Sequence, residues 1–429
     1  MSKRKDKKGR NLRDGEVQRK DGSYMYRYMN RKGERKAVYS WRLVDTDKIP
    51  EGKRSTKPLR DREKEIQVAL DSEDSPPLLT VNEVFENFME MRTDLRESTR
   101  YNYIHNYNKH VAGVIGDCLV SEIKSNTLLK LYISLSRDKH LKDSTVRKIH
   151  TYVSEIFEYA VRGELISITP AHNAIRDAGK TLSKVPDKRH ALTEEQQECF
   201  VNYIYSSFQF RRWGTLVIVL LGTGLRIGEA LGLRWCDCDF EKNTISVNHA
   251  LAYVVDENTG NYRRCIYEPK TQAGLRTIPM FAEVKRALES ERELTKQSGR
   301  TPLPIDGYSD FIFCNDKGLT LTPLFVRDNF TQIINSYNRQ EMENAEAEGR
   351  VPVLLPRFTP HNLRHTFCTR LCENGTNLKV VQDVMGHTDI KTTMNVYNEV
   401  TDKKRKEAFE KLEGKVVMSQ ILYNKWDIS

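Results

Sequence analysis

Between Tyr24 and Met29 the chain alternates Tyr, Met, Tyr, Arg, Tyr, Met, a period of two that gives a strand two chemically different faces. Asp21-Gly22 before this run and Asn30-Arg31-Lys32-Gly33 after it are hairpin turn signals. Ala37 to Leu43 forms another strand pattern, which predicts a three-stranded antiparallel sheet within residues 15–43. So small a sheet needs a cover, and a helix over about 59–70 can supply it.

The period then changes. A capping box, Thr80-x-x-Glu83, opens a helical stripe of Val81, Val84, Phe85, Phe88 and Met91. Asp143-Ser144-Thr145 precedes a second stripe of Ile149, Val153, Ile156, Phe157 and Ala160. With the tyrosine-rich stretch Ser98–Gly116 and the segment 125–136, this predicts four helices between about 80 and 165. Tyr101, Tyr103, His105 and Lys109 suit phosphate contact, and equally suit any solvated helix face. Asp71 to Leu79 and residues 167–190 read as linkers by composition. A second capping box, Thr193-x-x-Gln196, opens the largest block, about 191–415. There, helices alternate with a short β segment, about 239–281, whose turns are Glu241-Lys242-Asn243 and Gln272-Ala273-Gly274.

Charge changes this picture. Residues 1–70 hold 22 Lys and Arg against 11 Asp and Glu, a net of +11, whereas the whole chain is +10. A basic module on a neutral body suggests a polyanion, most often nucleic acid; on charge alone a solubilising basic arm is the alternative. A basic β-ribbon can enter the DNA major groove. The longest aliphatic run, Leu216–Leu221, is far short of the roughly 20 residues that span a bilayer. No apolar segment follows the N-terminal MSKRKDKKGR, and the eight cysteines form no C-x-x-C pair. A cytoplasmic protein without disulfides is expected.

Candidate chemistry lies in the last block. In Thr359-Pro360-His361-Asn362-Leu363-Arg364-His365, Thr359 is a good N-cap and Pro360 a good first helical residue. The i, i+3, i+4 spacing places His361, Arg364 and His365 on one face near the positive helix end, where an anion is favoured. A polar helix start with no ligand is the plain alternative. A metal on the two histidines lacks an intervening Glu and an evident third ligand. Leu221-Gly222-Thr223-Gly224-Leu225-Arg226 breaks an apolar helix at glycines and sets Arg226 toward a pocket, with Glu229 able to orient an arginine or base. Gly386-His387 follows a helix Leu378–Met385, Tyr397 lies ten residues on, and Lys270 is expected on the strand before the Gln-Ala-Gly turn.

The order Arg226, Lys270, His361-x-x-Arg364, Gly386-His387 and Tyr397 resembles the tyrosine recombinase (phage integrase) family. TGLRIGEALGL, TPHNLRHTFCT and MGHTDIKTTMNVY are similar to that family's boxes, and the likeness covers about 80–400. RKDGSYMYRYMNRKGERKAVYSWRL looks like the arm-site-binding module of conjugative-transposon integrases. The resemblance implies a multidomain fold: an N-terminal three-stranded β-sheet plus helix, an all-α core-binding domain, and a mainly α-helical catalytic domain with a small antiparallel β-sheet. The boundaries read as 1–72, linker 73–79, 80–172 (SAM-like), linker 173–190, 191–415 and a tail 416–429.

The resemblance further implies that Arg226, Lys270, His361, Arg364 and His387 activate the phosphate and that Tyr397 is the nucleophile, with Glu229 and His365 in support. Lys270 would protonate the leaving 5′-oxygen, and the histidines would assist. Physical chemistry agrees: two arginines can meet a phosphodiester's developing charge bidentately, and a phosphotyrosyl link conserves bond energy without ATP. No cofactor or metal is implied, since no carboxylate cluster suited to Mg²⁺ is evident. The implied partners are double-stranded DNA at core and arm sites, three further copies of the chain in a tetramer, an excisionase and DNA-bending proteins. Alternatives are a type IB topoisomerase and a non-catalytic DNA-binding regulator. The charged amphipathic stretch Asp402–Gly414 and the apolar residues after it are expected to dock on a neighbouring copy or to fold back on their own domain.

Overall fold

The computed structural model describes all residues except 1–3, 30–34, 52–55, 72–76, 180–189, 257–258, 270, 399 and 401–429. Lys270 and the tail from Thr401 onward therefore lie outside the described residues. The chain divides into two compact units, Met1–Pro186 and Asp187–Ser429.

The first unit begins with an antiparallel sheet of β1 (Glu16–Gln18), β2 (Tyr24–Met29) and β3 (Arg35–Ser40), in that order. Tyr26 sits opposite Glu16 on one side and Val38 on the other. The alternation places the tyrosines toward α1 as expected, although Met25 on the other face is buried as well. Tyr24, Tyr26 and Val38 pack with Leu43, Leu59 and Ile66 beneath α1 (Leu59–Asp71), while Arg27, Met29 and Tyr39 are exposed. The Arg19 guanidinium lies 5.2 Å from the centre of the Tyr39 ring. The third strand stops before its expected end at Leu43. Ser40 Oγ accepts the Arg42 N–H at 3.2 Å and turns the chain, and Leu43 is buried in the module's core instead.

The helical block contains α2 (Val81–Met91), α3 (Glu97–Tyr107), a π-helical stretch Asn108–Gly116, α4 (Ser125–Arg137), α5 (Asp143–Arg162) and α6 (Ala174–Ala178). The Thr80–Glu83 capping box forms as expected, with Thr80 N–H donating to Glu83 at 2.9 Å. Three expectations need correction. Met91 leaves the apolar stripe at 71% exposure, and Met89 is buried in its place, closer to the face that meets α5. Tyr103 is not a phosphate-facing residue: it is buried, and its hydroxyl donates to Glu155 at 2.7 Å. Part of the expected second linker is α6, whose Ala174 and Ala178 are buried in this block because alanine permits close helix contact.

The second unit contains α7 (Glu194–Ser206), α8 (Gly214–Thr223) and α9 (Ile227–Leu231). It continues through β4 (Cys238–Asp239), β5 (Thr244–Val247), β6 (Ala250–Val255), β7 (Tyr262–Tyr267) and β8 (Arg276–Pro279). Then follow α10 (Ala282–Ser298), α11 (Pro323–Glu348), α12 (Pro360–Glu373), α13 (Leu378–Met385) and α14 (390–398). The β segment forms two antiparallel sheets, β4-β5-β8 and β6-β7. The strand before the Gln-Ala-Gly turn ends at Tyr267. Apolar nearly all round, α8 runs through the core, where Leu216, Val217, Val219 and Leu220 are at most 1% exposed. Full burial of each such side chain contributes about 1.5–3 kcal/mol, so α8 is a rigid base for whatever its ends carry. No described helix is long and apolar enough to cross a membrane. All eight cysteines are free thiols.

Candidate active site

Two glycines shape the site. α8 ends at Gly224, whose φ of +62° is a left-handed cap that a side chain would strain. A Cβ there would also collide with the Phe367 ring and come within 3.0 Å of Met385 Sδ. Glycine therefore lets the end of α8 rest against α12 and α13. The second is Gly386, the left-handed cap of α13 at φ +61°, where a Cβ would lie 2.9 Å from Ala273 O.

Arg226, two residues after Gly224, is the N-cap of α9. Its own N–H donates to Glu229 Oε2 at 2.9 Å and its Nη1 to Oε1 at 2.7 Å. Arg364 projects inward from α12 and is 3% exposed. Its Nη1 donates to Gly224 O and its Nη2 to Met385 O. Arg226 Nη2 donates to Gly386 O at 2.8 Å, and Arg276 Nε, from β8, to Val384 O at 2.7 Å. Three arginines thus take three consecutive carbonyls, 384, 385 and 386. The sequence places helix-end carbonyls there with no intrahelical partner and with the negative end of the helix dipole, and guanidinium forks satisfy both. Arg276 closes the cluster with a fork on Glu229, at 2.7 Å (Nη2–Oε2) and 3.2 Å (Nη1–Oε1).

His387 comes next. Its N–H donates to Gln382 O at 3.1 Å, and its Nδ1 lies 2.9 Å from Oγ1 of the fully buried Thr393. Tyr397 stands on α14 and is 37% exposed. Thr359 and Pro360 start α12 as expected, with Asn362 Oδ1 accepting from Thr359 N–H at 3.0 Å. His361 is exposed in the first turn. α12 forms over His361, Arg364 and His365 as expected, but the three side chains meet different surroundings. Arg364 is buried among the carbonyls, whereas His365 lines a cavity of about 760 Å³ with His190, Thr369, Arg370, Val396 and Val400. The reason is packing: α12 is buried on more than one side, so residues of one stripe meet different neighbours.

The electrostatics of the cluster favour an anion. Burial works against the Glu229 carboxylate, but the hydrogen bonds and charge of Arg276, and then Arg226, hold its pKa at about 2. Burial first, then the Arg226 cation, disfavours the charged form of Arg364. A guanidinium still stays protonated at neutral pH, so an arriving anion relieves this cost. His387 is pushed down to about 4 by burial first, then by Arg364, Arg226, Arg276 and His361. Its imidazole is therefore neutral at pH 7. An NMR titration of the histidine resonances should place His387 near about 4, and a midpoint near 6.5 would show that the cationic field is absent. Because its folded pKa lies below its ordinary value, proton uptake favours the unfolded chain. This group's contribution to stability is present above about 6.5 and is lost as pH falls toward about 4.

Arg226, Glu229, Arg364 and His387 are brought together, while Lys270 lies outside the described residues. Sequence reasoning missed Arg276, Thr393 and the carbonyls. Arg276 is 47 residues from Glu229 and 108 from Val384, so no local spacing marks it.

The phage integrase family model matches residues 190–404, that for the DNA binding domain of Tn916 integrase residues 1–70, and that for the phage integrase N-terminal SAM-like domain residues 80–136. The chain is 31% identical over 403 residues to the transposase from transposon Tn1545 of Streptococcus pneumoniae, covering 93% of this chain and 94% of that one. It is 30% identical to the transposase from transposon Tn916 of Enterococcus faecalis, over the same shares of both chains. Among solved structures, the Tn1549 transposon integrase in complex with transposon right end DNA matches with a TM-score of 0.65 and 29% identity. That match covers 78% of this chain and 100% of that one.

Proposed function

The chain belongs to the phage integrase family, and on that premise we propose how its residues divide the work of cutting and rejoining DNA. It is a site-specific tyrosine recombinase of the conjugative-transposon type, acting in integration and excision. One observation carries the residue assignment. Arg226 and Arg364, 138 positions apart, converge on the consecutive carbonyls of Gly386 and Met385, beside His387.

In this reading the scissile phosphate docks on the two guanidinium groups, which meet the charge that builds on its non-bridging oxygens. Tyr397 Oη attacks phosphorus, the P–O5′ bond breaks, and a 3′-phosphotyrosyl bond replaces it. The tyrosine loses a proton and the 5′-oxygen gains one, and because one phosphodiester is exchanged for another the step needs no ATP. Lys270 is assigned the proton donor on sequence grounds alone. Neutral His387, with Nδ1 turned to Thr393, presents Nε2 to a phosphate oxygen, and His361 assists. Glu229 holds Arg226. His365, in its separate cavity, has a supporting role in packing around α14.

The partner is double-stranded DNA, engaged at core sites by residues 80–172 and 191–415 and at arm sites by residues 1–72. The open sheet face with Arg27, Met29, Tyr39 and Arg19 has the basic and aromatic character for that contact. Deleting residues 1–72 should flatten the slope of log affinity against log salt on arm-site DNA by about 0.9 for each phosphate that the module neutralises, measured by fluorescence anisotropy. An unchanged slope would remove the module from DNA. Recombination would proceed in the bacterial cytoplasm, in a homotetramer bridging two duplexes, with an excisionase and DNA-bending proteins.

The test is covalent capture on nicked core-site DNA in EDTA without ATP. A protein–DNA adduct, followed by resolution of synthetic four-way junctions, supports the proposal. An adduct with supercoil relaxation and no junction resolution supports a topoisomerase, and DNA binding without an adduct supports a regulator.

A further inference from the structure

We propose that Arg276 is a positioning residue for strand cleavage: it holds Glu229 and the end of α13, and so keeps Arg226 available to the scissile phosphate. The proposal rests on the reading of Arg226 and Arg364 as phosphate ligands.

One carboxylate is shared by two guanidinium groups. Glu229 Oε1 accepts from Arg226 Nη1 at 2.7 Å and from Arg276 Nη1 at 3.2 Å. Oε2 accepts from the Arg226 N–H at 2.9 Å and from Arg276 Nη2 at 2.7 Å. A carboxylate prefers a bidentate pairing with one guanidinium. Here Arg276 takes that fork, so only a single side-chain bond to Arg226 remains. Arg226 Nη2 rests on Gly386 O, and 42% of the Arg226 side chain stays exposed against 6% for Arg276. Without Arg276, Glu229 would turn onto Arg226 as a fork. It would then compete with phosphate for the donors that the reaction needs.

The second grip reinforces the first. Arg276 Nε holds Val384 O, the residue before the two carbonyls that seat Arg364 and Arg226 and three before His387. One side chain thus fixes the carboxylate below Arg226 and the backbone that positions Arg364 and His387. With its donors committed to Val384 O, Gly274 O and the Glu229 carboxylate, it acts through these neighbours. Displacement of reacting groups by about 1 Å can cost about 100-fold in rate.

The test uses the full-length protein in single-turnover cleavage of nicked core-site DNA, with DNA affinity measured in parallel. Arg276→Ala should cleave about 10- to 100-fold more slowly, with Kd within about twofold of the wild type. Adding Glu229→Gln should make the double variant faster than Arg276→Ala alone, because no carboxylate charge remains to compete for Arg226. A packing defect would give no such relief. A rate for Arg276→Ala within about twofold of the wild type, or a double variant no faster than the single one, would overturn the proposal. If Arg276→Ala fails to melt cooperatively, the same comparison is made on Arg276→Lys, which retains charge but not the fork. Absence of an adduct from the wild-type protein would instead defeat the underlying reading.

Discussion

Tyr397→Phe should abolish covalent capture of nicked DNA, lowering single-turnover cleavage by at least about 10⁴-fold, while DNA affinity stays within about twofold. The substitution removes one oxygen atom. Tyr397 is 37% exposed, so its ring is not part of the main core, and Phe retains that ring's packing. The loss would therefore report chemistry rather than folding. DNA affinity comes mainly from many backbone phosphate contacts across the complex, and one hydroxyl contributes little to them. A denaturing gel in EDTA without ATP reads the result directly. An adduct formed by the Phe variant would assign the nucleophile to another residue.

Arg364→Lys should reduce cleavage by about 10²- to 10³-fold, the range for removing one preorganised donor to a developing oxyanion. Lysine keeps the charge but not the planar fork, and Arg364 spends that fork on two carbonyls from different elements, Gly224 O and Met385 O. A single ammonium cannot reproduce both contacts at that spacing. One carbonyl is left buried without a donor, at a cost of about 1–3 kcal/mol. The expected net result is a melting temperature lower by a few degrees, measured by calorimetry. Cleavage within about tenfold of the wild type would show that position 364 needs only a positive charge.

Much of this protein follows from local pattern. The Tyr24–Met29 alternation determines which residues face α1, and the Thr80 and Thr193 capping boxes mark the starts of α2 and α7. The ends of α12 and α13 also follow from nearby residues, Thr359-Pro360 and Gly386. These are contacts across a few positions, where steric and hydrogen-bond rules act whatever the rest of the chain does. The identities of Arg226, Arg364, His387 and Tyr397 as candidates depended on their order along the chain, which is also linear information.

What needed the tertiary structure is the set of relations among distant residues. Periodicity made His361, Arg364 and His365 neighbours on one helix face, but α12 is enclosed on more than one side and its residues go to different places. Tyr103 has the same appearance in sequence as Tyr101, and packing on Phe88 and Tyr152 with a bond to Glu155 makes it a core residue. Arg276 carries no local mark, because its partners lie 47 residues before it and 108 after it. Sequence determined which side chains and which helix ends exist. Only folding could bring three arginines to three successive carbonyls, since a long-range ion cluster depends on where the backbone of other elements comes to rest.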